Sequence, residues 1–392
     1  MLMAAPHRGF FAAGVIQGLL AMALWVFDLG GRTWGLWSPL AWALPPSWVH
    51  SLMLLYGVFG FFVFGFILTA GPRWQKQGET PPIVFRPAVV LMAGGWVLAD
   101  IGLITAMNWA LALGLVVALA GWSVATAFLW RLTIRSSSRM HIGLMATAHT
   151  AGACGLLAFG ILAAGGSLRL GPLAIGLGLW AYILPVFVTV LHRMLPFFSQ
   201  GTIPNFEPRR PIWALVAILG GSVGHGLLVQ LDLARWTWLF DLPAAGAALT
   251  LTVLWRFRES FVNTLLAVLH VAFLWAGIAF ALLGVDSLLT LAGVGGLGLA
   301  PVHAMTLGFM SSAMVGMASR VTLGHSGLPI VGDATMWGCF WVMQLAAVLR
   351  IGGEWLPVLN PVAALLWLLA FAVWGARYAP AYWKPRADGE PG

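Results

Sequence analysis

Apolar runs of about twenty residues recur from one end of the chain to the other, the length an α-helix needs to cross a hydrocarbon layer roughly 30 Å thick. The gaps between them are too short to hold a soluble domain of even about fifty residues. Only 8% of the side chains are charged and 60% are hydrophobic, whereas a soluble domain carries about a quarter charged residues. The bilayer is therefore the solvent. The expectation is an all-α integral membrane protein, a bundle of about 12 transmembrane helices forming one polytopic domain over residues 1–392.

The expected spans are 10–29, 50–71, 86–106, 109–130, 141–165, 172–195, 212–231, 236–255, 261–284, 300–319, 334–351 and 357–376. The stub before the first is short and the run after it is long and Gly-rich, which reads as a retained helix and not a cleaved signal. The apolar but Gly-rich stretch 285–300 reads as a surface or re-entrant segment. When alternate loops are assigned to opposite sides, sixteen Lys and Arg fall on one side and four on the other. Cytoplasmic loops collect these residues, so both termini are expected inside, with short cytoplasmic tails 1–9 and 377–392. The basic excess thus reports topology, and no nucleic-acid partner is expected. Cys154 and Cys339 both fall inside apolar runs with no CxxC spacing, which fits packing and neither a disulfide scaffold nor a zinc site.

Proton-coupled pumps thread ionisable residues through the membrane, but here Asp100 and Glu259 are the carboxylates expected within or at the edge of a span. The polar inventory is nine histidines, which sort by depth. His149 and His270 each lie about nine residues, or roughly 13 Å, into their spans. His50 and His303 open spans at the outer face, and His225 points to the outer half. His7, His141, His192 and His325 fall near the cytoplasmic edge.

The simplest role for one such histidine is a neutral imidazole hydrogen-bonded to a neighbouring helix. Several at matching depth, with few carboxylates to pair with, also suit metal or haem ligation. His149 and His270 together suit a b-type haem, with His225 as a competing ligand. At 100° per residue, Met310, Met314 and Met317 share a helix face with His303, a set that suits either soft Cu(I) or adaptable core packing. Arg320 with His325, and Arg193 beside His192, are topology charges or clamps for an anionic group such as a haem propionate.

The stretch HAMTLGFMSSAMVGMASRVTLGHSGLP carries His303, Arg320, Gly324, His325 and Gly327, and in it the chain resembles the NnrS family of bacterial membrane proteins. Supporting stretches are PHRGFF with His7 and Arg8, GFILTAGPRW with Thr69, Pro72 and Trp74, RMLPFF with Arg193, Pro196 and Phe197, and LHVAFLWAGIAF with His270 and Trp275. One block departs from the family pattern. Where the family has His-x-His-Glu, this chain reads HSLM, so His50 stands for the first histidine while Leu52 and Met53 replace the second and the Glu.

The resemblance implies a haem- and copper-containing protein of the bacterial inner membrane, linked to the response to nitric oxide and nitrosative stress. Its implied partners are nitric oxide or another small neutral ligand, the lipid bilayer and a membrane electron donor. The missing Glu and the scarce intramembrane carboxylates weigh against a nitric oxide reductase of the haem–copper oxidase type. Two other classes fit the residues: a transporter or permease whose histidines line a substrate path, and an assembly factor that hands haem or copper to a respiratory oxidase through the Met face.

Overall fold

A computed structural model of the chain describes residues 1–389. These residues form twelve long helices: α1 (Pro6–Trp34), α2 (Pro46–Trp74), α3 (Pro82–Ile104), α4 (Asn108–Arg135), α5 (Met140–Ala163), α6 (Leu170–Gln200), α7 (Ile212–Gln230), α8 (Trp238–Leu254), α9 (Thr264–Leu291), α10, α11 (Ala334–Gly352) and α12 (Leu359–Trp383). Helix α10 runs continuously through Ala300–His303, a π-helical stretch Ala304–Ser311, and Ser312–His325.

Ten of these helices, not the twelve expected from the sequence, are long and apolar enough to cross a membrane. Helix α8 has only 17 residues, about 25 Å at 1.5 Å per residue, short of the hydrocarbon thickness. Helix α10 is long enough, but His303, Thr306, Ser311 and Ser312 interrupt its apolar character. The stretch 285–300 is divided: α9 continues to Leu291, and a loop follows in which Gly293, Gly295 and Gly298 adopt positive φ.

Proline opens several helices where its missing N–H costs nothing: Pro6, Pro46, Pro82 and Pro301 all sit in first turns. Asn263 and Asp333 cap α9 and α11, accepting from the backbone N–H groups of Leu266 and Met336.

The residues cluster into two compact units. The first comprises Met1–Val186, Gly324–Leu328 and the tail from Arg377. Its central helix is α2, whose most apolar window is 89% buried. Within this unit α3 and α4 touch backbone to backbone. A Cβ at Gly95 would lie 2.6 Å from the Gly114 carbonyl oxygen, and one at Gly121 would lie 2.6 Å from that of Ala88. Small residues that let helices approach this closely are the usual adhesive where lipid supplies no hydrophobic drive.

The second unit comprises Phe187–Leu323 and Pro329–Ala376. Its most extensively packed helix is α9, which lies against α8 and α10. Here the nearest neighbours of the packed helical glycines are side chains: Gly224 faces the Phe240 ring, Gly277 faces Leu249 and Gly284 faces Leu242.

Candidate functional site

The interior of the first unit is built around His149, which sits on α5 and is fully buried. Its ring is walled by aromatic groups: Phe64 with centroids 4.6 Å apart, Tyr182 at 5.3 Å and Trp122 at 6.4 Å. Trp122 Nε1 donates to the His149 carbonyl at 2.8 Å, which fixes the backbone of this turn. Tyr56 stacks near Tyr182, with centroids 6.3 Å apart, and donates its hydroxyl to the Ala174 carbonyl at 2.5 Å.

Glycines make room for this ring cluster. A Cβ at Gly152 would meet Trp122 at 2.6 Å and Tyr182 at 2.8 Å, and one at Gly155 would clash with the Tyr56 hydroxyl. Tyr56 and Tyr182 both lie in π-helical stretches, Met53–Val58 and Leu177–Ile183. Such stretches often accompany functional sites because the wider turn redirects side chains.

The two nitrogens of His149 have different surroundings. Nδ1 lies 2.6 Å from the Met145 carbonyl oxygen, a pure acceptor, so Nδ1 carries the proton and donates it. Nε2 then holds a lone pair, and among the described residues it is buried with no hydrogen-bond partner. The Tyr182 hydroxyl is also buried and unpartnered. Two orphaned polar atoms in one aromatic chamber are unusual, since buried polar groups are nearly always satisfied. An imidazole whose Nδ1–H is held by a carbonyl while Nε2 stays available is arranged as metal and haem ligands are.

Two histidines of the second unit, His225 and His270, have side-chain partners instead. His225 on α7 places Nδ1 3.0 Å from both carboxylate oxygens of Asp241 on α8. Both residues are buried, Asp241 completely. The carboxylate accepts from Nδ1–H and fixes the tautomer. His270 on α9 is buried with Nε2 3.0 Å from the Ser199 hydroxyl. His303 is half-buried, and its Nδ1–H donates to the Leu299 carbonyl at 2.9 Å.

The remaining candidate residues lie elsewhere. His50, in the first unit, stacks on Trp25 with centroids 4.3 Å apart. His325, also in the first unit, has His7 as its neighbour at 4.6 Å between ring centroids. In the second unit Arg320 lies over the Phe198 ring, 3.9 Å from its centroid, a cation–π contact. Arg193 is half-buried and lies within electrostatic range of Arg210.

Met310, Met314 and Met317 are all buried. The π-helical stretch Ala304–Ser311 adds residues to its turn, so uniform 100° stepping does not carry from His303 across to Met314. Among the described residues, no group of three or more His, Cys, Asp or Glu side chains is placed to hold a metal ion.

Sequence reasoning passed over two buried carboxylates. Asp28 is fully buried, bonded to Arg32 at 2.6 Å and accepting from the Leu40 N–H at 2.9 Å. Asp241 was detectable: the hairpin joining α7 to α8 turns near Leu233, and His225 and Asp241 each stand eight residues from that point. Two antiparallel helices bring such positions to one level.

These features define a polytopic helical membrane protein whose buried imidazoles form distinct sites. Residues 1–386 match the protein family described as NnrS protein. The chain belongs to that family. No curated protein matches it.

Proposed function

We propose that this protein is a haem-binding inner-membrane protein of bacteria that protects against nitric oxide and nitrosative stress by binding or processing the gas. The observation that carries the reading is His149: fully buried, with Nδ1–H held by the Met145 carbonyl and Nε2 without a partner. Family membership supplies the haem, and the chamber supplies a residue that fits it.

Haem iron, when bound, supplies affinity for a small neutral diatomic ligand. The chain's own residues would do the rest. His149 would hold the haem through Nε2, with the Met145 carbonyl keeping the ring in the matching tautomer. Phe64 and Trp122 would exclude water from around the imidazole. The Tyr182 hydroxyl, the other unpartnered polar group in the chamber, would donate a hydrogen bond to an acceptor there. In the second unit His270 and His225 are the candidates for holding haem, each of which would have to exchange its present partner, Ser199 or Asp241.

Copper fits this chain less well. The second histidine and the Glu of the family block are Leu52 and Met53 here, and no cluster of three His, Cys, Asp or Glu side chains forms among the described residues. The buried methionines of α10 are accounted for as core, so no step is assigned to copper.

Orientation with both termini in the cytoplasm is part of the same reading. With ten crossings Arg256 and Arg258 change sides, and the Lys and Arg split becomes fourteen to six. The bias keeps its sign. A membrane electron donor would then serve the site from within the bilayer.

Haem binding is tested on protein expressed with ample haem and purified in detergent. The expected result is a Soret band, with visible bands that change on reduction and again on exposure to nitric oxide. Absence of a Soret band would remove the haem assignment.

A further inference from the structure

The first turn of α1 holds a second buried polar cluster that the haem reading does not use. His7 and Arg8 are 2% and 1% exposed. The His7 backbone N–H donates to Thr69 Oγ1 at 3.1 Å, its ring adjoins that of His325, and its Nδ1 is buried and unpartnered among the described residues. Arg8 Nη1 donates to the Lys384 carbonyl at 2.7 Å, while its Nε is buried with no partner among those residues.

The nearby carboxylates are already committed. Glu79 takes Arg73 at 2.8 Å, and Asp388 takes Arg386, whose Nε lies 2.9 Å from Oδ1. Among the described residues Arg8 has only a backbone carbonyl. A buried guanidinium with no anion opposite it is an expensive arrangement, and Arg is the side chain best shaped to hold an oxyanion. The start of α1 adds the positive end of the helix dipole.

Two adjacent imidazoles can also hold a metal ion, so the surrounding charge has to decide. Arg8 and Arg73 lie within electrostatic range of both rings and Arg386 within range of His325, and since Glu79 pairs with Arg73 and Asp388 with Arg386, Arg8 is the cation in surplus. That surplus repels a cation and attracts an anion.

We propose that Arg8, His7 and His325, at the first turn of α1, form a binding site for a phosphate oxyanion. The first turn of a spanning helix lies at headgroup level, where a phospholipid phosphate and free phosphate present the same oxygens. The tail covers the site, through Lys384 on Arg8 and through the Ala387 N–H, which donates to the Ser326 carbonyl at 2.9 Å.

The test compares wild type with Arg8→Gln by thermal unfolding. One arm titrates inorganic phosphate against chloride of matched ionic strength in detergent. The other uses nanodiscs of phosphatidylcholine with and without phosphatidylglycerol. A saturable rise of the wild-type midpoint with phosphate identifies the free anion as the source. A rise only with phosphatidylglycerol identifies the lipid. In either case Arg8→Gln should need at least about tenfold more ligand, the scale of one charge-assisted hydrogen bond. If Arg8→Gln does not fold, His7→Asn carries the same comparison, with ligand demand raised about fivefold. No midpoint shift of wild type in either arm, or equal shifts in wild type and variant, overturns the site.

Discussion

His149 in the first unit and His225 in the second are the same side chain, both buried in long helices, yet their surroundings assign them different work. His225 shares its proton with a buried carboxylate, so its imidazole belongs to a pair. His149 spends Nδ1 on its own helix and leaves Nε2 facing aromatic rings. Burial alone therefore does not mark a ligand. What distinguishes the two is whether removal of the ring would strand a partner.

The largest effect should come from breaking the pair. His225→Ala leaves the Asp241 carboxylate buried with its imidazole donor gone, which should destabilise the second unit by about 3 kcal/mol. Unfolding of the variant in mixed detergent–SDS micelles measures this, and a loss within error of zero would dissolve the contrast with His149.

Next in size is the aromatic chamber. Gly155→Ala drives a methyl group against the Tyr56 hydroxyl, which the Ala174 carbonyl holds in place. Overpacking of this kind costs about 1–3 kcal/mol. The same unfolding assay should register it, together with a changed visible spectrum if Tyr56 and Tyr182 wall the haem side of His149.

Ser199→Ala should have a smaller effect, about 1 kcal/mol, by removing one hydrogen bond to His270. The spectrum should stay as in wild type if His270 is structural. A shifted Soret band would instead move His270 to the ligand side of the comparison.

Much of this contrast lay outside the reach of sequence. The apolar runs were legible because a bilayer imposes a fixed length, and all twelve expected runs correspond to helices. Two of them fall short as spans for reasons of degree: α8 by length, and α10 by the polar residues clustered in its first half. Helical rise also converts residue number into an expected depth. It placed His7 and His325 in one layer, and they are in fact neighbours.

Pairings across helices were harder. The partners of His270 and His325 are 71 and 318 positions away in sequence, and no local pattern announces them. The His225–Asp241 pair was readable from its hairpin, but only by counting outward from the turn. The π-helical stretches could not be foreseen by uniform stepping: two of them carry Tyr56 and Tyr182, and a third breaks the 100° register between His303 and Met314.

The smallest expected change in stability belongs to His149→Phe, since the ring it replaces leaves an aromatic chamber and strands no side chain. That variant is also the most direct test of the haem assignment. Visible spectra of wild type, His149→Phe and His225→Phe, each purified with ample haem, should show the Soret band lost or displaced in His149→Phe. The account predicts a folded His149→Phe protein without the wild-type band, and an unchanged band in that variant would contradict it.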